Sequence, residues 1–345
     1  MQSETMFKRV SNSFIMEPSS LCIICSGRVV VSSMAGYSIF GDSISTFRGM
    51  IPKENRWFYD ACDTNGCGVT DPSETWWGRV IDRQGGKLVA NASFSGAMVD
   101  GWGFPAGRSM MRARQVVGAD GAVPDIVIVY MGINDYGWGS PEAQAAGKSV
   151  ASAANYDIEG RPLLKPVDID GSESSFEAEL IVSSDAYEGV DPAGPAPDDA
   201  VERFRTAYEE MISNIKMVAP KAEVHCMTLS PARIVGVDGR FCYSLRGIEL
   251  DDYNDAIERA CKAQGARCAD VRAFGLDYSS IDGTHPDLVG MRQLADMYMA
   301  SMGDSHALDD YEDGMESTHI YDVHQIEADR GKLVSASKWS CLTLD

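Results

Sequence analysis

The sequence predicts an α/β fold: a doubly wound, three-layer arrangement around a five-stranded parallel sheet with strand order 2-1-3-4-5. Three observations predict it. Apolar runs of strand length recur at residues 37–40, 87–92, 126–131, 223–229 and 266–271. Stretches with apolar residues at helical spacing lie between them, and apolar strands alternating with amphipathic helices indicate a parallel sheet covered on both faces. Polar turns rich in glycine follow the first three strands, where such a sheet gathers its ligand-binding loops.

The elements follow in order. The first strand, Tyr-Ser-Ile-Phe, runs directly into Gly41-Asp42-Ser43. A short, partly apolar helix over Trp76–Arg83 precedes the second strand. The third strand lies in the longest apolar run, residues 126–133, which is strand-sized. From Val201 onward, Phe204, Tyr208, Met211, Ile215 and Val218 repeat at spacings of 4, 3, 4 and 3, which is one face of a long helix. After the fourth strand, Tyr253, Ile257, Ala260 and Cys261 mark another helix, with Asp251 and Asp252 favouring its N-terminus. Leu288, Met291, Leu294, Ala295 and Tyr298 mark the last one.

Three segments fall outside this rhythm. Residues 1–35 form an N-terminal extension with no clear period, although residues 27–31 could be a strand. Residues 137–200, rich in Gly, Ala, Ser, Pro and acids, read as a long loop inserted after the third strand; loops of that length are unusual and often functional. Residues 303–345 form an acidic tail. The domain proper therefore spans residues 36–302.

Composition narrows the function classes. The chain has 345 residues, 44% of them hydrophobic, enough for a full-sized core. A formal net charge of −21 opposes binding to nucleic acid and to anionic membrane surfaces. No apolar run is long enough to span a membrane. Residues 21–25 are too short for a signal-peptide core, so a cytoplasmic location is the expectation. Nine cysteines, an odd number, fit reduced thiols. Cys62 and Cys67 flank a turn and could pair in an exported protein. His225 sits in a buried-type strand and reads as a core residue. His319 and His324 are five apart, which does not give the i, i+4 pairing of a helical metal site. No metal or cofactor is implied, and the expected partner is a small molecule.

Four turns carry chemistry. Ser43 follows strand 1, Gly96 follows strand 2, Asn134 of Gly132-Ile133-Asn134-Asp135 follows strand 3, and His285 of Asp282-Gly283-Thr284-His285 follows strand 5. Singly, each has an ordinary reading, and Ser43 could be a helix N-cap. The second Gly-Asp-Ser, at 303–305, follows a helix and reads as its C-terminal turn. Jointly, strands 2, 1 and 3 are neighbours in this strand order, so Gly96, Ser43 and Asn134 meet at the carboxyl edge, within reach of the loop bearing His285. The set supplies a nucleophile, a base with an acid to orient it, and oxyanion donors. Asp42 and Asp135 read as braces for their turns.

With those residues in view, the chain resembles the SGNH, or GDSL-type, hydrolase superfamily, whose letters match Ser43, Gly96, Asn134 and His285. The resemblance runs from about residue 36 to 302. Thr75-Trp76-Trp77-Gly78-Arg79 and Asp252-Tyr253-Asn254 look like a bacterial branch of it. The resemblance implies carboxylic-ester hydrolysis through an acyl-serine, with Ser43, His285 and Asp282 as the catalytic residues and Ser43, Gly96 and Asn134 as the oxyanion hole. Trp102 and Trp138, near Gly96 and Asn134 in sequence, could each offer a flat face to a sugar-like alcohol or simply pack under the loop. The expected substrate is a short acyl group on such an alcohol. A lysophospholipase, a lipase or an acyltransferase on the same site is an alternative. From another class, a flavodoxin-like binding protein would use residues 43–46 as a phosphate loop, but it leaves Asn134, Asp282 and His285 without a task.

Overall fold

A parallel sheet of five strands is the middle layer of the computed structural model, which describes residues 20–25, 28–147, 195–234, 244–245, 247–281 and 283–309. The strands are β1 (Gly36–Gly41), β2 (Lys87–Asn91), β3 (Ile126–Tyr130), β4 (Glu223–Met227) and β5 (Arg267–Ala269). Their spatial order is 2-1-3-4-5, all pairs parallel, as the sequence predicts. β1 and β3 pair without a slip from Tyr37 opposite Ile126 to Gly41 opposite Tyr130. Their ends are therefore level, and the loops that follow leave the same edge.

The helices are α1 (Trp76–Arg83), α2 (Met110–Arg114), α3 (Ile133–Trp138), α4 (Pro141–Gly147), α5 (Ala200–Val218), α6 (Leu250–Gln264) and α7 (Leu288–Ser301). The chain moves one way along the sheet from β1 to β2 and the other way from β2 to β5. Right-handed crossovers then put α1 on one face and α2, α5 and α6 on the other. The packing agrees: α1 lies against α7, and α5 lies against α2 and α6. The α5 stripe expected from spacing is buried at Phe204, Tyr208, Met211 and Ile215. α6 starts on a capping box of Glu249 and Asp252 and stops at the left-handed Gly265. His225 is a satisfied core residue, with Nδ1 2.8 Å from the Tyr298 hydroxyl.

Some expectations change. The segment 137–200 is not loop throughout: α3 runs to Trp138 and α4 covers Pro141–Gly147, while residues 148–194 lie outside the described residues. The N-terminal extension contains an antiparallel pair, Ser20–Cys25 with Arg28–Ser33. A small parallel pair, Ala232–Ile234 with Tyr278–Ser280, was not anticipated, because three-residue strands are too short for a periodicity to show. Cys62 and Cys67 are free thiols rather than a pair. Ser305 is exposed in a turn after α7 where Gly303 has φ +103°, as a helix C-terminal turn requires.

Candidate active site

The turn after β1 is built by its own residues. A Cβ on Gly41 would lie 2.4 Å from Ser45 Oγ, so only glycine lets the turn fold this tightly. Asp42 is the N-cap: its Oδ1 accepts the Ile44 N–H at 3.0 Å. Ser43 is then the first residue of a 3₁₀ turn, not its cap. Thr46 Oγ1 donates to the Ser43 carbonyl at 2.9 Å. The far end of the turn is pinned by α1 and β2: Trp76 Nε1 donates to Ser45 Oγ, while Trp77 Nε1 and Asn91 Nδ2 donate to Ser45 O. Burial pushes the Asp42 carboxyl up to about 6, opposed by the Ile44 N–H and by the charges of His285 and Arg112.

His285 reaches Ser43 from the other end of the chain. The segment that follows Tyr278–Ser280 folds back on itself, with the Ile281 N–H donating to His285 O and Ser280 bridging Pro286. The Tyr278 hydroxyl donates to Thr284 O at 2.7 Å, and the Tyr59 hydroxyl to Pro286 O at 3.0 Å. His285 Nε2 thereby sits 2.9 Å from Ser43 Oγ. Both residues are only 4% exposed. The Phe58 ring lies flat on the imidazole, centroids 3.6 Å apart and planes 4° apart. Asp282 lies outside the described residues.

The loops after β2 and β3 meet each other, and the first of them also meets the exit of β1, where the Phe94 N–H donates to Gly41 O at 3.1 Å. Gly96 has φ +82°, a left-handed conformation that glycine takes without strain. Asn134, in the first turn of α3, donates from Nδ2 to Ala97 O at 3.2 Å. A side-chain amide carries two N–H groups, and this contact uses one. Gln144 of α4 donates to Gly96 O at 3.1 Å. The buried Asp135 carboxylate accepts the N–H groups of Val99 and Asp100. Burial pushes it up to about 8, against those two hydrogen bonds. Asp42 and Asp135 thus brace their turns. Behind α3, the Tyr253 hydroxyl donates to Asp135 O, and the Asn254 side chain pairs with the backbone of Leu229 at the exit of β4.

Arg112 is a site residue that the sequence reading missed. Its fully buried guanidinium donates to the carbonyls of Ala92, Pro105 and Gly41, and so holds the exits of β1 and β2 together. It also covers the Phe40 ring at 4.8 Å. Burial lowers it to about 9, while Asp42 pulls the other way. Phe58 was missed as well. The run Trp57-Phe58-Tyr59 sits in a loop with no period, and the aromatic run itself was the only signal.

The two tryptophans part company. Trp138 is buried, with its Nε1 lacking a hydrogen-bond partner among the described residues, while Trp102 is 41% exposed. A cleft of about 640 Å³ lies between residues 49–54, β2 and α2. It contains none of Ser43, Asn134 and His285. No group of three His, Cys, Asp or Glu side chains among the described residues could hold a metal ion. No helix among them is long and apolar enough to cross a membrane. The Ser43–His285 contact presents a hydroxyl against an imidazole, which is what nucleophilic attack on an ester carbonyl needs.

Residues 35–160 match the family model described as GDSL-like lipase/acylhydrolase, which supports a carboxylic ester hydrolase. No curated protein matches the chain. Among solved structures, a Bacteroides ovatus protein named as a candidate GDSL-like lipase is 20% identical, with 79% of this chain and 99% of that one covered and a TM-score of 0.46. A Lactobacillus plantarum protein is 16% identical over 80% and 99%, with a TM-score of 0.44. A family two carbohydrate esterase from Clostridium thermocellum is 14% identical over 81% and 67%, with a TM-score of 0.40.

Proposed function

We propose, from the premise that residues 35–160 belong to the GDSL-like lipases/acylhydrolases of the SGNH superfamily, that this protein is a serine esterase with Ser43 as nucleophile and His285 as base. The observation that carries the reading is the 2.9 Å contact between Ser43 Oγ and His285 Nε2, within reach for direct proton transfer. As Ser43 Oγ bonds to the ester carbonyl carbon, its proton passes to Nε2. The carbonyl π pair moves onto oxygen, held by the backbone N–H groups of Ser43 and Gly96 and by the Asn134 amide. Collapse expels the alcohol, which takes the proton from Nε2, and water repeats the sequence on the acyl-serine. Asp282 is assigned to orient the imidazole through its other nitrogen.

The proposed substrate is a short acyl group on a neutral, sugar-like alcohol. The exposed Trp102, which follows the Gly96 loop, supplies a face for a sugar ring. The acidic residues of the 137–200 segment, Asp168, Asp170, Glu173, Glu177, Glu179, Asp185 and Glu188, lie outside the described residues; their charge disfavours anionic substrates.

Fluorophosphonate labelling and p-nitrophenyl acetate hydrolysis test the assignment. Ser43→Ala should lose both with its fold intact, and Ser305→Ala should lose neither. Labelling retained by Ser43→Ala would place the nucleophile elsewhere.

A further inference from the structure

We propose that Phe58 is a positioning residue for His285: its ring sets the plane of the imidazole and stabilises the imidazolium that forms when Ser43 gives up its proton. The inference rests on the proposed Ser43–His285 pair.

The stacking geometry carries the argument. Phe58 and His285 lie face to face, centroids 3.6 Å apart and planes 4° apart. Two neutral aromatic rings prefer an offset or edge-to-face arrangement, because face-on stacking sets like parts of their quadrupoles together. A cation over the negative face of a ring is instead attracted, within about 6 Å of the centroid. The arrangement therefore suits the charged imidazole better than the neutral one, and proton transfer from Ser43 produces the charged imidazole. A group that favours that state more than the resting one lowers the barrier.

Phe58 is itself held in register with the nucleophile. Its N–H donates to Thr46 Oγ1 at 2.8 Å, and the Thr46 hydroxyl donates to Ser43 O at 2.9 Å. The next residue, Tyr59, donates from its hydroxyl to Pro286 O, directly after the histidine. Phe58 and Tyr59 pack edge to face at 4.9 Å, and the Phe58 carbonyl accepts from Asn65 Nδ2. The loop of contacts closes: Ser43 to Thr46, Thr46 to Phe58, Phe58 to His285, and His285 back to Ser43. One segment thus positions both partners of the proton transfer, although they are 242 residues apart in sequence.

The test separates ring electronics from packing. Replacing Phe58 by pentafluorophenylalanine keeps the ring's shape and reverses its quadrupole. In steady-state hydrolysis of p-nitrophenyl acetate, kcat should fall about tenfold with KM within about twofold, as expected for losing a partly desolvated cation–π contact. Phe58→Tyr, which keeps the electron-rich face, should hold kcat within about threefold of the parent by the same reasoning. Melting temperature is read in parallel. An unchanged kcat in the fluorinated protein, or a change carried by KM alone, would overturn the proposal, and so would equal losses in the fluorinated and tyrosine proteins. Failure of the underlying Ser43–His285 reading looks different: Ser43→Ala in the parent protein would then keep its fluorophosphonate labelling.

Discussion

Asp135 accepts the backbone N–H of Val99 at 2.8 Å, tying the first turn of α3 to the loop after β2. The residue before it is Asn134, and the loop it grips contains Gly96. One buried carboxylate therefore sets the spacing between the two outer elements of the proposed oxyanion hole.

That carboxylate has a pH signature. Its folded value, about 8, lies above the ordinary 3.8, so the folded state holds the proton more tightly than the unfolded chain. The resulting stability is present in full below pH 3.8 and is lost as the pH rises through about 8. Asp135→Asn keeps an acceptor oxygen for Val99 and Asp100 and has no proton to lose. Between about pH 5 and about pH 9 the melting temperature of the variant should fall less than that of the parent. Parallel curves would show that Asp135 titrates as an ordinary carboxyl.

Arg112→Met should destabilise without touching the proposed reacting atoms. The guanidinium serves three carbonyls, and methionine fills much of the space but donates nothing. Leaving buried acceptors unpaired costs about 1–3 kcal/mol each, so urea denaturation should show a loss of about 3 kcal/mol or more. A midpoint equal to that of the parent would mean that the carbonyls find other donors.

Asn134→Ala should lower kcat by about 10²–10³ with little change in KM, the pattern of a donor that acts in the transition state. A change in KM alone would make Asn134 a ground-state binding residue. Because its Nδ2 also donates to Ala97 O, Asn134→Asp offers a control: it keeps the size and loses both N–H groups.

Activity on p-nitrophenyl esters should fall from acetyl or butyryl to octanoyl. The reason is that the 137–200 segment lacks a long apolar stripe to line a tunnel for a fatty chain, while its acids disfavour anionic acyl donors such as acyl-CoA. A preference for octanoyl or longer esters, or for acyl-CoA, would overturn the short-acyl reading.

Much of the fold was legible because period reports burial. The α5 stripe of Phe204, Tyr208, Met211 and Ile215 and the apolar run of β3 are buried where their spacing placed them. The ends of the elements were less legible, and so were α2, α4 and the pair formed by Ala232–Ile234 and Tyr278–Ser280. Five or seven helical residues, or three in a strand, complete too few turns or alternations to show a period.

By itself, the sequence determined the order of strands and helices, and with it the turns in which Ser43, Gly96, Asn134 and His285 lie. Chain direction and crossover handedness then leave one edge of the sheet for the first three. Only the tertiary structure decided what holds those turns. Phe58 stacks on a histidine from the far end of the chain, Arg112 gathers carbonyls from the end of β1 and from the β2–α2 connection, and Trp138 is buried while Trp102 is not. The physical reason is range: periodicity and turn chemistry are local along the chain, whereas stacking, burial and shared hydrogen bonds depend on which distant segments meet.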